Sequence, residues 1–231
     1  MINKIIHILK NKVTLTVSNT GSTITRNFDA FGRVTSKTET GTGTVNYVYD
    51  ITEGLSSGFT AETATDKDGN VTRKVYDKAG RLYSVASGSN VTTYTYNDNG
   101  SVKDVTYQSG AKESYIYNAD NSLASLTNTN SDGTVINQYS YVYDSVGNVI
   151  SKTDETGTTN YTYDPVDRLV MEVYPSGKMI TYQFDGSGNR TFETIVELND
   201  TTVVRYNYTI GGLLENTIKY VNDQLHVETD Y

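Results

Sequence analysis

The run YDKAGRL at residues 76–82 is echoed by YDSVGNV at 143–149 and YDPVDRL at 163–169. An aromatic residue, then an acid, then three residues on a glycine or a stand-in for it, keeps returning. The two-residue mark falls at Phe28-Asp29, Tyr49-Asp50, Tyr76-Asp77, Tyr96-Asn97, Tyr117-Asn118, Tyr143-Asp144, Tyr163-Asp164 and Phe184-Asp185, with a worn copy at Tyr208-Thr209. Successive gaps are 21, 27, 20, 21, 26, 20, 21 and 24 residues, a period near twenty in which every third unit is longer. A shift of 67 positions lays residues 77–143 on 144–210 without a gap, and a more worn block precedes residue 77. Fixed periods of this length mark repeat architectures, in which each unit is one supersecondary element.

The element is a β-hairpin. In NYTYDPVDRLVMEVY (160–174), Tyr161 and Tyr163 stand two apart and share a strand face, and after the turn Leu169, Met171 and Val173 alternate in the same way. Two strands of six or seven residues and two turns fill about twenty residues. The acid explains the turn: its oxygens accept backbone N–H groups two or three residues on, while the glycine supplies positive φ without a Cβ penalty. The glycine position holds Gly32, Gly80, Gly100, Gly147, Gly188 and Gly212, but Asn121 and Asp167 in two copies. Asn and Asp are the other residues that best tolerate the left-handed region. Glu53 breaks the pattern, so ITEGLSSG at 51–58 is expected to form a looser loop.

The acids are read as turn locks, at Asp29, Asp77, Asp144, Asp164 and Asp185, with Asn97 and Asn118 in the same role, alongside the glycines at 32, 80, 100, 147 and 188. Metal binding or acid/base catalysis is the competing reading, and asparagine in two copies argues against it, because it keeps the hydrogen-bond geometry while losing charge and basicity. On this reasoning Asp144→Asn is nearly neutral and Asp144→Ala costs about 1 kcal/mol. DKDGN at 66–70 carries its glycine at the fourth rather than the sixth position of a calcium loop and reads as a turn. Asn-x-Thr triplets begin at Asn70, Asn90, Asn160, Asn199 and Asn207, a chance product of a chain rich in both residues. The tyrosine pairs 94/96, 115/117, 141/143 and 161/163 are expected to stack in cross-strand ladders that replace an aliphatic core; the alternative is a platform for sugar rings.

Composition agrees. The 231 residues include 20 tyrosines and no tryptophan, 19 glycines and only 2 prolines, which suits strands and turns. With 19 basic against 27 acidic residues, net charge −8, the footprint for nucleic acid or an anionic membrane is lacking. There is no cysteine, and the two histidines, His7 and His226, lie near opposite ends, so neither a thiol nor a histidine-based catalytic group is expected. No apolar run approaches the ~20 residues of a membrane span, and no signal peptide is recognisable within the chain. No cofactor and no metal is expected.

The expected fold is therefore all-β, with consecutive antiparallel hairpins forming one long curled or spiralling sheet. Residues 27–212 form about nine hairpin units. Residues 1–26 are an N-terminal capping segment, a strand or a short helix, since Ile2, Ile5, Ile6 and Leu9 fit a helical face. Residues 213–231 are capping strands or a truncated further repeat. A ribbon with two unpaired edges invites edge-to-edge self-association unless its ends are covered. A hydrolase with paired carboxylates has no pair of acids to nominate.

The Y-x-Y-D-x-x-G-R-L units, as in YDKAGRL, resemble the tyrosine-aspartate (YD) repeats of the RHS family over about residues 27–212. That resemblance implies a structural segment, not an enzyme, of a hollow β-shell that encloses or displays a toxin or other cargo in a secreted or cell-surface bacterial polypeptide. It implies further repeats or a toxin domain as partners. Complete casings of the family use many more repeats and a proline-rich, self-cleaving aspartyl closing motif that this sequence lacks, so a fragment is expected, either a natural short member or a piece of a longer polypeptide. The alternative is a carbohydrate-binding wall-attachment module built on the tyrosines.

Overall fold

The computed structural model describes residues 4–9, 12–17 and 21–231, and the chain divides into two compact units. The first comprises residues 1–114 with 130–134, the second residues 115–129 with 135–231. No helix occurs among the described residues. The first unit contains β1 (Lys4–Leu9), β2 (Lys12–Val17), β3 (Ser22–Phe28), β4 (Val34–Glu39), β5 (Gly43–Ile51), β6 (Thr60–Thr65), β7 (Val71–Tyr76), β8 (Leu82–Ser87), β9 (Asn90–Tyr96) and β10 (Val102–Thr106). Strand β11 (Lys112–Tyr117) begins in the first unit and ends in the second. The second continues with β12 (Leu123–Thr129), β13 (Val135–Tyr143), β14 (Val149–Asp154), β15 (Gly157–Tyr163), β16 (Leu169–Val173), β17 (Met179–Phe184), β18 (Arg190–Glu197), β19 (Asp200–Tyr208), β20 (Leu214–Val221) and β21 (Gln224–Asp230).

Strands β1 to β11 and strands β12 to β21 each pair antiparallel with the next in sequence, as in Asn160↔Val173 to Tyr163↔Leu169 for β15 and β16. The all-β, hairpin-by-hairpin architecture expected from the repeat is the one observed. The helical reading of the N-terminus is corrected: Ile5, Ile6 and Leu9 belong to β1, which pairs with β2 from Lys4↔Val17 to Leu9↔Lys12. Ile2 lies outside the described residues. Six residues are too few to nucleate a stable helix, whereas the alternating VTLTV beside them offers a complete ladder.

Twelve turns among the described residues share one design. The N–H of the first residue donates to the carbonyl of the fifth, and the N–H of the fourth donates back to the carbonyl of the first, at 2.8–3.3 Å. Turn heads are residues 29, 66, 77, 97, 107, 118, 130, 144, 164, 174, 185 and 209. This is a type I turn closed by a left-handed residue that bulges the ladder. The fourth residue has positive φ in every case, including Asn121 (69°) and Asp167 (62°), the two non-glycine copies. Asp50 departs from the design. It has φ 57° within β5, and the loop beyond it makes two shorter turns, Thr52–Leu55 and Ser56–Phe59.

Neither unit has a deep interior. Ala61 at 2% exposure, Val105 at 8%, Thr159 at 8% and Val75 at 9% are the most enclosed described residues. Apolar residues between the paired tyrosines stand open on the opposite face, Val48 at 55%, Ile116 at 63% and Val142 at 54%. With so little apolar area withdrawn from water, stability rests on the ladders and on the side chains that join neighbouring turns.

Candidate functional site

The recurring residues converge at the turns. At Asp29, Asp66, Asp77, Asp144, Asp164 and Asp185, Oδ1 accepts the N–H groups of the second and fourth residues beyond it at 2.8–3.0 Å. The other oxygen, Oδ2, accepts the side chain of that fourth residue: Arg33, Arg81 or Arg168 through Nε, and Asn70, Asn148 or Asn189 through Nδ2, at 2.7–3.1 Å. Desolvation works against the Asp77 carboxylate, but the backbone and side-chain bonds from Arg81 and the Ala79 N–H outweigh it and hold its pKa below the ordinary value. At Asp185 the Asn189 side chain is the largest influence and acts in the same direction.

The neutral copies are built differently. Asn97 and Asn118 donate through Nδ2 to Ser101 and Ser122 Oγ, each at 2.9 Å. Lock duty passes to the third residue of the turn, where Asn99 and Asp120 Oδ1 accept the serine N–H and hydroxyl at 2.6–3.1 Å. Aspartate heads are thus matched with Arg or Asn, and asparagine heads with Ser or, at Asn130, with Thr134, whose N–H Asp132 Oδ1 accepts. Asparagine is therefore not the free replacement that the sequence suggests. In Asp144→Asn, an amide donor would face the Asn148 amide, which cannot turn round without losing its 2.9 Å bond to Asp167 Oδ1. We expect Asp144→Asn alone to lower the melting temperature by about 2–4 °C. Adding Val146→Asp and Asn148→Ser, which copies the 118–122 turn, should restore most of that loss in the same thermal melt.

Tyrosines and arginines join one turn to the next. Hydroxyls of Tyr49, Tyr96, Tyr143, Tyr163 and Tyr208 donate to the carbonyls of Val34, Leu82, Leu123, Val149 and Arg190 at 2.6–3.0 Å. Each acceptor is the first residue after a turn of the preceding repeat. Arg33, Arg81 and Arg168, already held by their own aspartates, lie over the rings of Tyr49, Tyr96 and Phe184 at 4.5–4.7 Å. Aspartate, arginine and the next aromatic ring form one clasp across two hairpins.

Tyrosine stacking follows a different plan from the expected ladder. The repeat is two strands long, so the tyrosine pairs fall on every second strand, about 9–10 Å apart, beyond ring-stacking reach. Tyr94, Tyr141 and Tyr161 lie opposite Val105, Lys152 and Glu172 instead of other tyrosines. Tyr115 and Tyr117, on one strand, are the stacked pair, with centroids 6.5 Å apart. Glu172 receives the hydroxyls of both Tyr182 (2.6 Å) and Tyr174 (2.7 Å). Sequence reading passed over these glutamate and arginine partners. The recurrence of Arg one residue after the glycine position, in GRV, GRL and DRL, was the available signal. It also passed over the turns headed by Tyr107, Asn130 and Tyr174, each signalled by a glycine three residues on. Among the described residues no cluster of His, Cys, Asp and Glu is disposed to hold a metal ion.

Comparison with known proteins gives three results. The family model for the teneurin YD-shell matches residues 3–171. The tRNA3(Ser)-specific nuclease WapA of Bacillus spizizenii is 29% identical over 201 residues, 81% of this chain and 8% of that protein. The crystal structure of TcdB2-TccC3 superposes with a TM-score of 0.59 at 18% identity, covering 83% of this chain and 14% of that one. The chain thus spans a small part of the length of both relatives.

Proposed function

The chain belongs to the teneurin YD-shell family, and from that premise we propose that it is a non-enzymatic wall segment of a shell that encloses or displays cargo within a longer secreted or cell-surface polypeptide. Its partners are then further repeats and the cargo itself. The observation that carries this reading is how the repeated polar groups are used. The turn-head carboxylates are engaged in locking their own turns, and the arginines of the clasps and five tyrosine hydroxyls in joining hairpin to hairpin. A catalytic or sugar-binding role would need such groups turned toward a ligand.

Protection of neighbouring segments distinguishes the readings. In the parent polypeptide, removal of one 67-residue super-repeat should expose adjoining cargo to protease without altering any chemical turnover assigned to the repeats. Intact protection combined with lost attachment to cell-wall polysaccharide would favour the wall-attachment alternative.

A further inference from the structure

The strand position four residues before each turn head lies on the face away from the tyrosines. Across nine copies it reads Thr25, Asn46, Arg73, Thr93, Ser114, Ser140, Asn160, Thr181 and Arg205. Small neutral polar residues suffice there for the fold, so the two arginines are additions to it. Arg73 stands opposite Thr63 on one side and Ala86 on the other, flanked along its own strand by Val71 and Val75. From β6 to β9 the strand residues that share this face are Ala, Val, Ser and Thr, apart from Arg73 itself. Its Nε is shut off from solvent and has no hydrogen-bond partner among the described residues. Arg73 borders an open hollow of about 620 Å³ between the β6–β7 tip at Gly69 and Asn70 and the β8–β9 tip at Ser87 and Gly88.

Four of the other six arginines pair their guanidinium groups with carboxylates. Arg33, Arg81, Arg168 and Arg190 each hold an acid oxygen at 2.7–2.8 Å. A buried, unanswered donor costs stability, and the planar guanidinium fork fits a two-oxygen acceptor. We propose that Arg73 and this hollow form a carboxylate-binding site. Arg205 supplies the internal contrast, because its hollow of about 500 Å³ is also lined by Asp185 and Glu215, which offset its charge.

The test is a titration of the whole chain at fixed ionic strength with N-acetylglutamate N-methylamide, followed through the arginine Nε–H signals by NMR. The expected result is a saturable shift of the Arg73 Nε–H with the Ala86 and Ser87 amides, at least ~10-fold tighter than any response at Arg205. It should vanish in Arg73→Thr. Competition by acetate would identify any free carboxylate as a sufficient ligand, and binding of the glutamate derivative without acetate competition would assign the site to a polypeptide side chain. Both outcomes support the site. A response that survives in Arg73→Thr, an equal response at Arg205, or tighter binding of inorganic phosphate would overturn it. Arg73→Thr, which installs the residue of the sister copies, should also raise the melting temperature by about 2–4 °C. A fall would make Arg73 part of the scaffold and end the proposal.

Discussion

Gly157→Ala is expected to destabilise the protein by about 2–4 kcal/mol, a heavy loss for one added methyl group. Two penalties coincide at this glycine. Its φ of 124° is one that L-residues rarely adopt, and a Cβ built there would lie 2.8 Å from Pro175 Cβ and 3.0 Å from Pro175 Cγ. Proline cannot give way, because its ring is fixed to the backbone of the next turn tip. The same close approach recurs where Gly110 meets Ser131 at 2.8 Å, so Gly110→Ala should follow in severity. Gly177→Ala is the control: its φ is 84° but its surroundings are open, and it should cost only the left-handed penalty of about 1 kcal/mol. Urea unfolding of the three variants checks the order, and equal losses would show that tip-to-tip contact contributes nothing.

Alkaline unfolding is the second large effect expected. Among the described residues, tyrosines 49, 76, 96, 107, 143, 161, 163, 174, 182 and 206 have pKa values raised above the ordinary 10. Desolvation and the Glu62 carboxylate push Tyr76 up to about 12, and the hydrogen bond to Glu172, with desolvation, does the same for Tyr174. A raised folded-state pKa means that the folded chain holds the phenolic proton more tightly than the unfolded one. The stabilisation is therefore complete below pH 10 and is lost as pH rises from about 10 to 12. After allowance for solvent screening, about 1 kcal/mol from each of the two shifted to about 12, no less from Tyr182, which burial and the Glu172 carboxylate raise further, and smaller amounts from the others remove a large fraction of an ordinary protein's stability. Thermal melts between pH 9 and 12 should fall steeply. Glu172→Gln, which removes the charge that Tyr174 and Tyr182 share, should flatten the fall; a profile that matches the wild type would remove this cause.

The fold was legible because the repeat states it twice, once in strand alternation and once in turn chemistry. Asn121 and Asp167 replace glycine without changing the bend, since what recurs is a left-handed backbone and not a residue type. Clasp chemistry was only half legible. The aspartate announces a local lock, and local locks follow from spacing along the chain. By contrast, the partners of Tyr96 are Leu82 and Arg81, fourteen and fifteen residues earlier, and only the strand register brings them under its ring. Arg73 was invisible for a related reason. Its lack of a partner becomes apparent only when the neighbours on its face are known.

The central claim is that the recurring acid, arginine and ring act on one another across adjacent turns and not on a ligand. A double-mutant cycle between Arg81→Met and Tyr96→Leu measures this directly, since the guanidinium lies 4.5 Å from the ring. The account predicts a coupling of about 0.5–1.5 kcal/mol in urea unfolding. Losses that simply add, within about 0.3 kcal/mol, would contradict it.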